Sequence, residues 1–164
     1  MTNKKAIRLL YRATRDGFTQ SAFHSKCDGK ANTVTIVKNN LNYVFGGYAS
    51  KAWDSKGAYI EDGNAFIFSL RRNGTSTNEK YKVTNRHTAY FGHSSSNSHL
   101  FGFGGAHDIA VKNNSNTETG SYTHFGYSYQ LPEGYTFESE SAKNYLSGNY
   151  NQWLTTEIEV FQLE

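Results

Sequence analysis

Four oxygen-bearing side chains lie within a short, glycine-containing stretch of the chain: Asp54, Glu61, Asp62 and Asn64. Carboxylate and amide oxygens are ligands that calcium prefers, and a calcium ion takes about six to eight oxygens in flexible geometry. The spacing does not match the EF-hand loop, and Asp and Asn in turns also accept hydrogen bonds from their own backbone. The local sequence therefore leaves two interpretations open, a calcium site and an ordinary polar turn.

A second group of reactive side chains lies nearer the start of the chain. His24 and Cys27 are three residues apart in a segment with helical spacing, so their side chains share one helix face. A cysteine nucleophile needs a base at such a distance, but one face of an amphipathic helix explains the pair without chemistry. Because Cys27 is the single cysteine, an internal disulfide is excluded. The thiol is either a buried apolar group or a bridge between two subunits.

Composition sets the class of protein that carries these groups. The 164 residues suit one domain, and we assign residues 1–164 to it. Twelve Tyr, eleven Phe and fifteen Gly against one Pro favour strands joined by tight turns. The net charge of +3 is spread along the chain without a basic stripe, so nucleic acid is not expected as a partner. No apolar run approaches the roughly 18 residues needed to span a bilayer, so no membrane insertion is expected.

Local patterns predict the elements that position the candidate groups. The alternation of apolar and polar residues predicts strands at 6–14, 32–38, 42–50, 64–71, 80–84 and 155–163, with three short strands in 88–114. A helix is predicted within 16–30, capped by Thr19 and ended by Gly29. Residues 72–79 are expected to form a polar tip between strands. We therefore predict a mostly β fold, a two-sheet antiparallel β-sandwich with one or two short flanking helices.

Six segments of the chain, taken in order, resemble the TLDc domain family. They are "LLYRATRDGFTQSAFHSKCDGKANTVTIVK", "VFGGYAS", "NAFIFSL", "FGFGGAHDIAV", "YTHFGYSYQ" and "EIEVFQ". The resemblance extends from Leu9 to Gln162 and implies a β-sandwich with short helices, which agrees with the strands predicted above. The chain is also similar in length and design to stand-alone calcium-dependent galactose-binding lectins of sea anemones, which have the same fold.

The lectin resemblance implies a non-enzymatic protein that binds terminal galactose, with β-galactosides preferred. Ca²⁺ would be held by Asp54, Glu61, Asp62 and Asn64, and sugar hydroxyls would replace waters on the ion. Tyr59 lies in the same loop and would pack against the apolar face of the sugar. Galactose-containing glycans would be the partners, and a homodimer, with Cys27 as a possible intersubunit disulfide, would add avidity. An extracellular location would follow.

The intracellular branch of the family implies a different class of function. Its members are associated with oxidation resistance and with binding the vacuolar proton pump, so the alternative is a cytoplasmic adaptor with a reduced Cys27 and no sugar binding. Some members carry an acidic residue after the glycine run, where this chain has Gly105-Ala106-His107-Asp108. That departure weakens the transfer of any role to these positions.

Overall fold

Two antiparallel sheets form the body of the protein. The computed structural model describes residues 6–84, 90–92 and 99–164. The large sheet has six strands in the order β1-β10-β2-β3-β5-β6. These strands are β1 (Ile7–Arg12), β2 (Thr33–Asn39), β3 (Val44–Ala49), β5 (Phe66–Arg72), β6 (Thr75–Lys82) and β10 (Thr155–Leu163). The small sheet has the order β4-β7-β8-β9. Its strands are β4 (Tyr59–Ile60), β7 (Tyr90–Gly92), β8 (His99–Phe103) and β9 (Ile109–Lys112). The predicted mostly β, two-sheet antiparallel fold is confirmed.

The two sheets pack closely because a glycine of one faces a ring of the other. A Cβ built on Gly47 of β3 would lie 2.4 Å from Cε1 of Phe103 in β8. Phe103 packs edge-on against Trp53, with ring centroids 5.7 Å apart. Phe23 of the helical layer stacks on Phe101, at 5.0 Å. These rings are fully or almost fully buried and form the centre of the core.

Within the described ranges, three short helices flank the sheets: α1 (Ala13–Asp16), α2 (Gln20–Cys27) and α3 (Glu140–Asn144). The helix predicted in 16–30 is α2. The Thr19 hydroxyl accepts a hydrogen bond from the Ala22 amide at its start, and Gly29 has a left-handed φ of 75° just past its end. In the described part of the chain, no helix is long and apolar enough to cross a membrane.

The polar tip predicted at 72–79 was wrong, because most of it is strand. The chain reverses at Asn73-Gly74, both of which have positive φ, at 47° and 81°. Such a pair is a preferred two-residue hairpin turn. β6 then starts at Thr75 and pairs with β5 through Arg72↔Thr75 and Arg71↔Ser76. The segment is polar because most of its side chains face solvent, not because it is a loop.

Candidate functional site

Asp62 ties the 54–64 loop to the end of β3. Its carboxylate is 2% exposed. Oδ2 accepts hydrogen bonds from the amides of Ser50 and Lys51, at 2.6 and 3.3 Å. Oδ1 accepts from the Ser50 hydroxyl at 2.6 Å and from the Asn64 amide at 3.1 Å. Both carboxylate oxygens are therefore occupied by donors of the chain itself, and Asp62 serves as an internal clamp.

The carboxylate of Asp54, another predicted calcium ligand, closes a local turn. Asp54 Oδ1 accepts a hydrogen bond from the Lys56 amide two residues on, at 3.0 Å, which is the turn-forming contact typical of Asp. Glu61 and Asn64 have exposed side chains. Across residues 6–84, 90–92 and 99–164, no three His, Cys, Asp or Glu side chains are grouped so that they could hold a metal ion. The local geometry is that of the ordinary polar turn.

Tyr59 lies instead against the glycine run that follows β8. Its hydroxyl donates to the Gly105 carbonyl at 2.6 Å, and its ring lies 6.3 Å from that of His107, centroid to centroid. The His107 Nδ1 is 2.8 Å from the Tyr122 hydroxyl, and the His99 ring lies 5.9 Å from the His107 ring. Loops distant in sequence thus meet at a cluster of rings.

Both histidines of this cluster are uncharged at neutral pH. Burial lowers the pKa of His107 to about 4, and the neighbouring His99 lowers it further. Burial also lowers the pKa of His99, with a smaller effect from Lys112. An uncharged imidazole packs like an aromatic ring with polar edges, so the cluster is a largely neutral aromatic patch.

The rings continue along the surface as one connected run, which we call the aromatic strip. Tyr122 is 6.1 Å from Tyr150, and the His124 ring stacks on that of Phe137 at 5.3 Å. Phe137 in turn lies 6.1 Å from Tyr127. The most exposed rings of the strip are Tyr59, Tyr127 and Phe137, at 46%, 48% and 38%. The strip consists of Tyr59, His99, His107, Tyr122, His124, Tyr127, Phe137 and Tyr150.

Asp108 fixes the segment that presents Tyr127. Its carboxylate is fully buried and accepts hydrogen bonds from the consecutive amides of residues 126–129, at 2.9, 3.1, 3.0 and 3.3 Å. Burial raises the pKa of Asp108 to about 6, although the amide hydrogen bonds act in the opposite direction. A Cβ on Gly104, whose φ is +88°, would lie 2.0 Å from Asp108 Oδ1. The glycine run therefore makes room for a structural carboxylate. Asp108 was a second calcium candidate in the sequence, with a buried, hydrogen-bonded aspartate as the alternative, and its contacts are those of the alternative.

The His24 and Cys27 pair is not arranged as a nucleophile and base. His24 Nδ1 is 2.6 Å from Asp28 Oδ1, and Ser55 donates to the other Asp28 oxygen at 2.5 Å. The Asp28 carboxylate thus bridges the Ser55 hydroxyl and the His24 ring, so His24 is not placed to take the proton of Ser55. Cys27 is fully buried and free, and burial raises the pKa of its thiol. Such a thiol is a poor nucleophile and could reach a second subunit only if the core opened.

Two curated relatives match parts of the chain. The MTOR-associated protein MEAK7 of Danio rerio is 30% identical over 63 residues, which are 38% of this chain and 14% of that protein. The MTOR-associated protein MEAK7 of Gallus gallus is 29% identical over 102 residues, which are 62% of this chain and 21% of that protein. The matches therefore cover only about a fifth or less of each relative.

These relatives correct the functional expectation taken from the lectins. Both are named for association with MTOR, so the reading as a calcium-dependent galactose lectin was wrong, as was the choice of galactose glycans as partners. The loop agrees with that correction, because the described residues contain no group of three His, Cys, Asp or Glu side chains that could hold a metal ion. The prediction of the family is confirmed, because the profile of the TLDc domain matches residues 2–164. The chain belongs to the TLDc domain family.

Proposed function

We propose that this chain is an adaptor domain that acts by binding a protein partner and catalyses no reaction. The observation that carries the proposal is that a chain matched by the TLDc profile over residues 2–164 has two relatives that are both named for association with another protein. A domain of this kind would work in the cytoplasm, where the single thiol of Cys27 stays reduced.

The chemistry of the surface supports binding more than catalysis. The reactive groups that the sequence offered hold loops together: Asp62 and Asp108 are saturated by hydrogen bonds within the chain. The aromatic strip, by contrast, presents the rings of Tyr59, Tyr127 and Phe137 to solvent. Exposed aromatic side chains are enriched in protein interfaces, where they bury a large area at a small entropic cost.

The relatives and the family suggest different candidate partners. The names of the fish and bird proteins favour MTOR or an assembly that contains it. The family resemblance favours the vacuolar proton pump. Both are protein partners, and one experiment distinguishes them.

The test is affinity capture with the full chain immobilised and cell extract as the source of partners. Immunoblots for MTOR and for pump subunits identify what is retained. The variant Tyr127→Ser/Phe137→Ser should lose most of the capture, because each exposed ring contributes on the order of 1 kcal/mol or more to an interface. The matched control Tyr127→Phe/Phe137→Tyr keeps both rings and should bind as the wild type does. Absence of both partners from the wild-type beads refutes the adaptor function.

A further inference from the structure

The face of the large sheet opposite the core carries a continuous apolar row. The register places Leu9 beside Phe161, Phe161 beside Val34, Val34 beside Tyr48, and Tyr48 beside Phe66. In the next row Ile36 and Phe68 lie on either side of Gly46. We call this surface the outer-sheet strip and define it by Leu9, Val34, Ile36, Tyr48, Phe66 and Phe161.

The outer-sheet strip is less covered than the inner face of the same strands. In β2, Thr35 and Val37 are fully buried, whereas the alternating Val34 and Ile36 are only half-buried. Ile36 borders three shallow hollows of about 300, 340 and 460 Å³. The hollows of 300 and 340 Å³ are lined mainly by apolar side chains and could accept side chains from another molecule, whereas Lys38, Glu157 and Glu159 line the hollow of 460 Å³. The surface therefore has the shape of a packing face.

Positively charged side chains lie beside the strip. Lys38, Lys80 and Lys82 are exposed, and none has an ion-pair partner within the described ranges. Lys80 lies over the Phe66 ring, with its Nζ 3.9 Å from the ring centroid, and Lys82 is paired in register with Phe66.

Two acidic residues on this face already bond within the chain, and both line the same hollow as Lys38. Glu159 is paired with Arg12 at 2.6 Å. Glu157 accepts hydrogen bonds from the amide and hydroxyl of Thr14 and from the Ile158 amide. An incoming molecule therefore meets an apolar surface with free ammonium groups beside it, which is complementary to an apolar surface flanked by carboxylates.

We propose that the outer-sheet strip binds an acidic amphipathic helix of a partner protein, an inference that rests on the adaptor function. Sheet faces are commonly covered by helices. The apolar row crosses five strands, which at about 4.8 Å between neighbours is roughly 19 Å, the length of about 13 helical residues. A second copy of this chain fits less well, because face-to-face packing would bring the same free lysines together. A bilayer surface would leave the hollows around Ile36 unfilled.

The test uses a synthetic helical peptide with leucines on one face and glutamates on both flanks. Its affinity for the full chain is measured by fluorescence anisotropy, beside a matched peptide that has lysine in place of glutamate. The acidic peptide should bind roughly tenfold or more tightly than the basic one, as expected for about three surface charge pairs. Its affinity should fall with added salt, because exposed charges are screened.

Variants of the chain identify the surface. The triple variant Lys38→Glu/Lys80→Glu/Lys82→Glu should have a roughly tenfold lower affinity for the acidic peptide than the wild type. It should also bind the basic peptide more tightly than the acidic one. Val34→Thr/Ile36→Thr keeps β-branched side chains in the strand but adds polar groups to the strip, and should also weaken binding. Lys56→Glu, an exposed lysine in the 54–64 loop, should bind as the wild type does. Thermal unfolding of each variant verifies that it is folded.

Several outcomes would overturn the proposal. Equal affinity for the two peptides, no binding, or an unchanged affinity in the triple lysine variant would refute the docking surface. Concentration-dependent self-association that the triple variant abolishes would also refute it, because the occupant would then be a second copy of the chain. Binding to phosphatidylserine vesicles without binding to the peptide would refute it as well, because the occupant would then be a membrane surface. Affinity capture from cell extract distinguishes failure of this proposal from failure of the adaptor function. If the triple lysine variant captures the same partner as the wild type, only the outer-sheet strip is refuted as the binding surface. If the wild type captures no partner, the adaptor function is refuted.

Discussion

The contact between the two sheets at Gly47 makes a quantitative prediction. Substitution Gly47→Ala adds one methyl group, which would lie 2.4, 2.5 and 2.7 Å from Cε1, Cζ and Cδ1 of Phe103. Ordinary carbon contacts are about 3.5–4.0 Å, so the ring would have to move by about 1 Å. Phe103 is fully buried and has Trp53 and Phe101 as aromatic neighbours, at 5.7 and 6.2 Å. The ring therefore has little room to retreat.

The expected loss of stability is the cost of overpacking the core minus the stabilisation that comes from restricting the unfolded chain. Inserting a methyl group into a packed core costs about 1–3 kcal/mol, and three overlapping ring atoms place this site at the upper end. Replacing glycine by alanine restricts the unfolded chain and returns about 0.4–1 kcal/mol. The expected net loss is about 2 kcal/mol in the free energy of unfolding. For a chain of this size it corresponds to a melting temperature lower by roughly 4–8 °C.

Urea unfolding of four proteins provides the assay: wild type, Gly47→Ala, Phe103→Leu and the double variant. A leucine in place of the ring makes room for the new methyl, so the two substitutions together should cost about 1 kcal/mol less than the sum of their separate costs. Gly104→Ala is unsuitable as a control because its φ is +88°. A Gly47→Ala cost below about 0.5 kcal/mol, or strictly additive costs, would refute the close packing of the two sheets at this point.

Three further predictions concern the loops and the thiol. Asp62→Ala should lower the free energy of unfolding by about 3 kcal/mol in urea titrations. Asp62→Asn should lower it by only about 1 kcal/mol, because the asparagine side chain can still accept hydrogen bonds from the Ser50 and Lys51 amides and donate one to the Ser50 hydroxyl. Equal losses in the two variants would contradict the role of Asp62 as a clamp. Because the pKa of His107 falls to about 4 on folding, from about 6.5 unfolded, the unfolded chain takes up the proton first and stability should decline as pH drops from about 6.5 towards 4. His107→Asn, which tolerates the φ of 58°, should show a smaller decline in melting temperature over that range, and an unchanged decline would rule out this origin. The Cys27 thiol should resist a thiol-modifying reagent in the native protein and react promptly in denaturant, because it is fully buried; rapid native labelling would show that it is accessible.

Much of the architecture could be predicted from local patterns because strands have a short period. Alternation of apolar and polar residues located β2, β5 and β10, and the capping signals of Thr19 and Gly29 located α2. The hairpin at Asn73-Gly74 was missed although its dipeptide is a strong turn signal. The reason is that β6 has few apolar side chains, so the alternation that marks a buried strand is weak there.

The candidate site was less predictable because residue type does not reveal what a carboxylate contacts. Asp54 and Asp62 are both acidic and lie in one loop, yet Asp54 closes a local turn while Asp62 is buried under Ser50. The donors that saturate Asp62 come mostly from another strand end, twelve or eleven residues earlier in the chain. Local sequence therefore could not distinguish the clamp from a metal ligand.

The amino-acid sequence by itself determined the strand pattern, the TLDc motifs and the supply of aromatic side chains, because these depend on neighbours within a few residues. Tertiary structure alone decided which side chains meet. It brought Tyr59 to Gly105, His107 to Tyr122, and the amides of residues 126–129 to Asp108. It also turned Val34 and Phe161 to the same outer face. These contacts join segments between about fifteen and more than a hundred residues apart, and only the pairing of strands and the burial of charge select them.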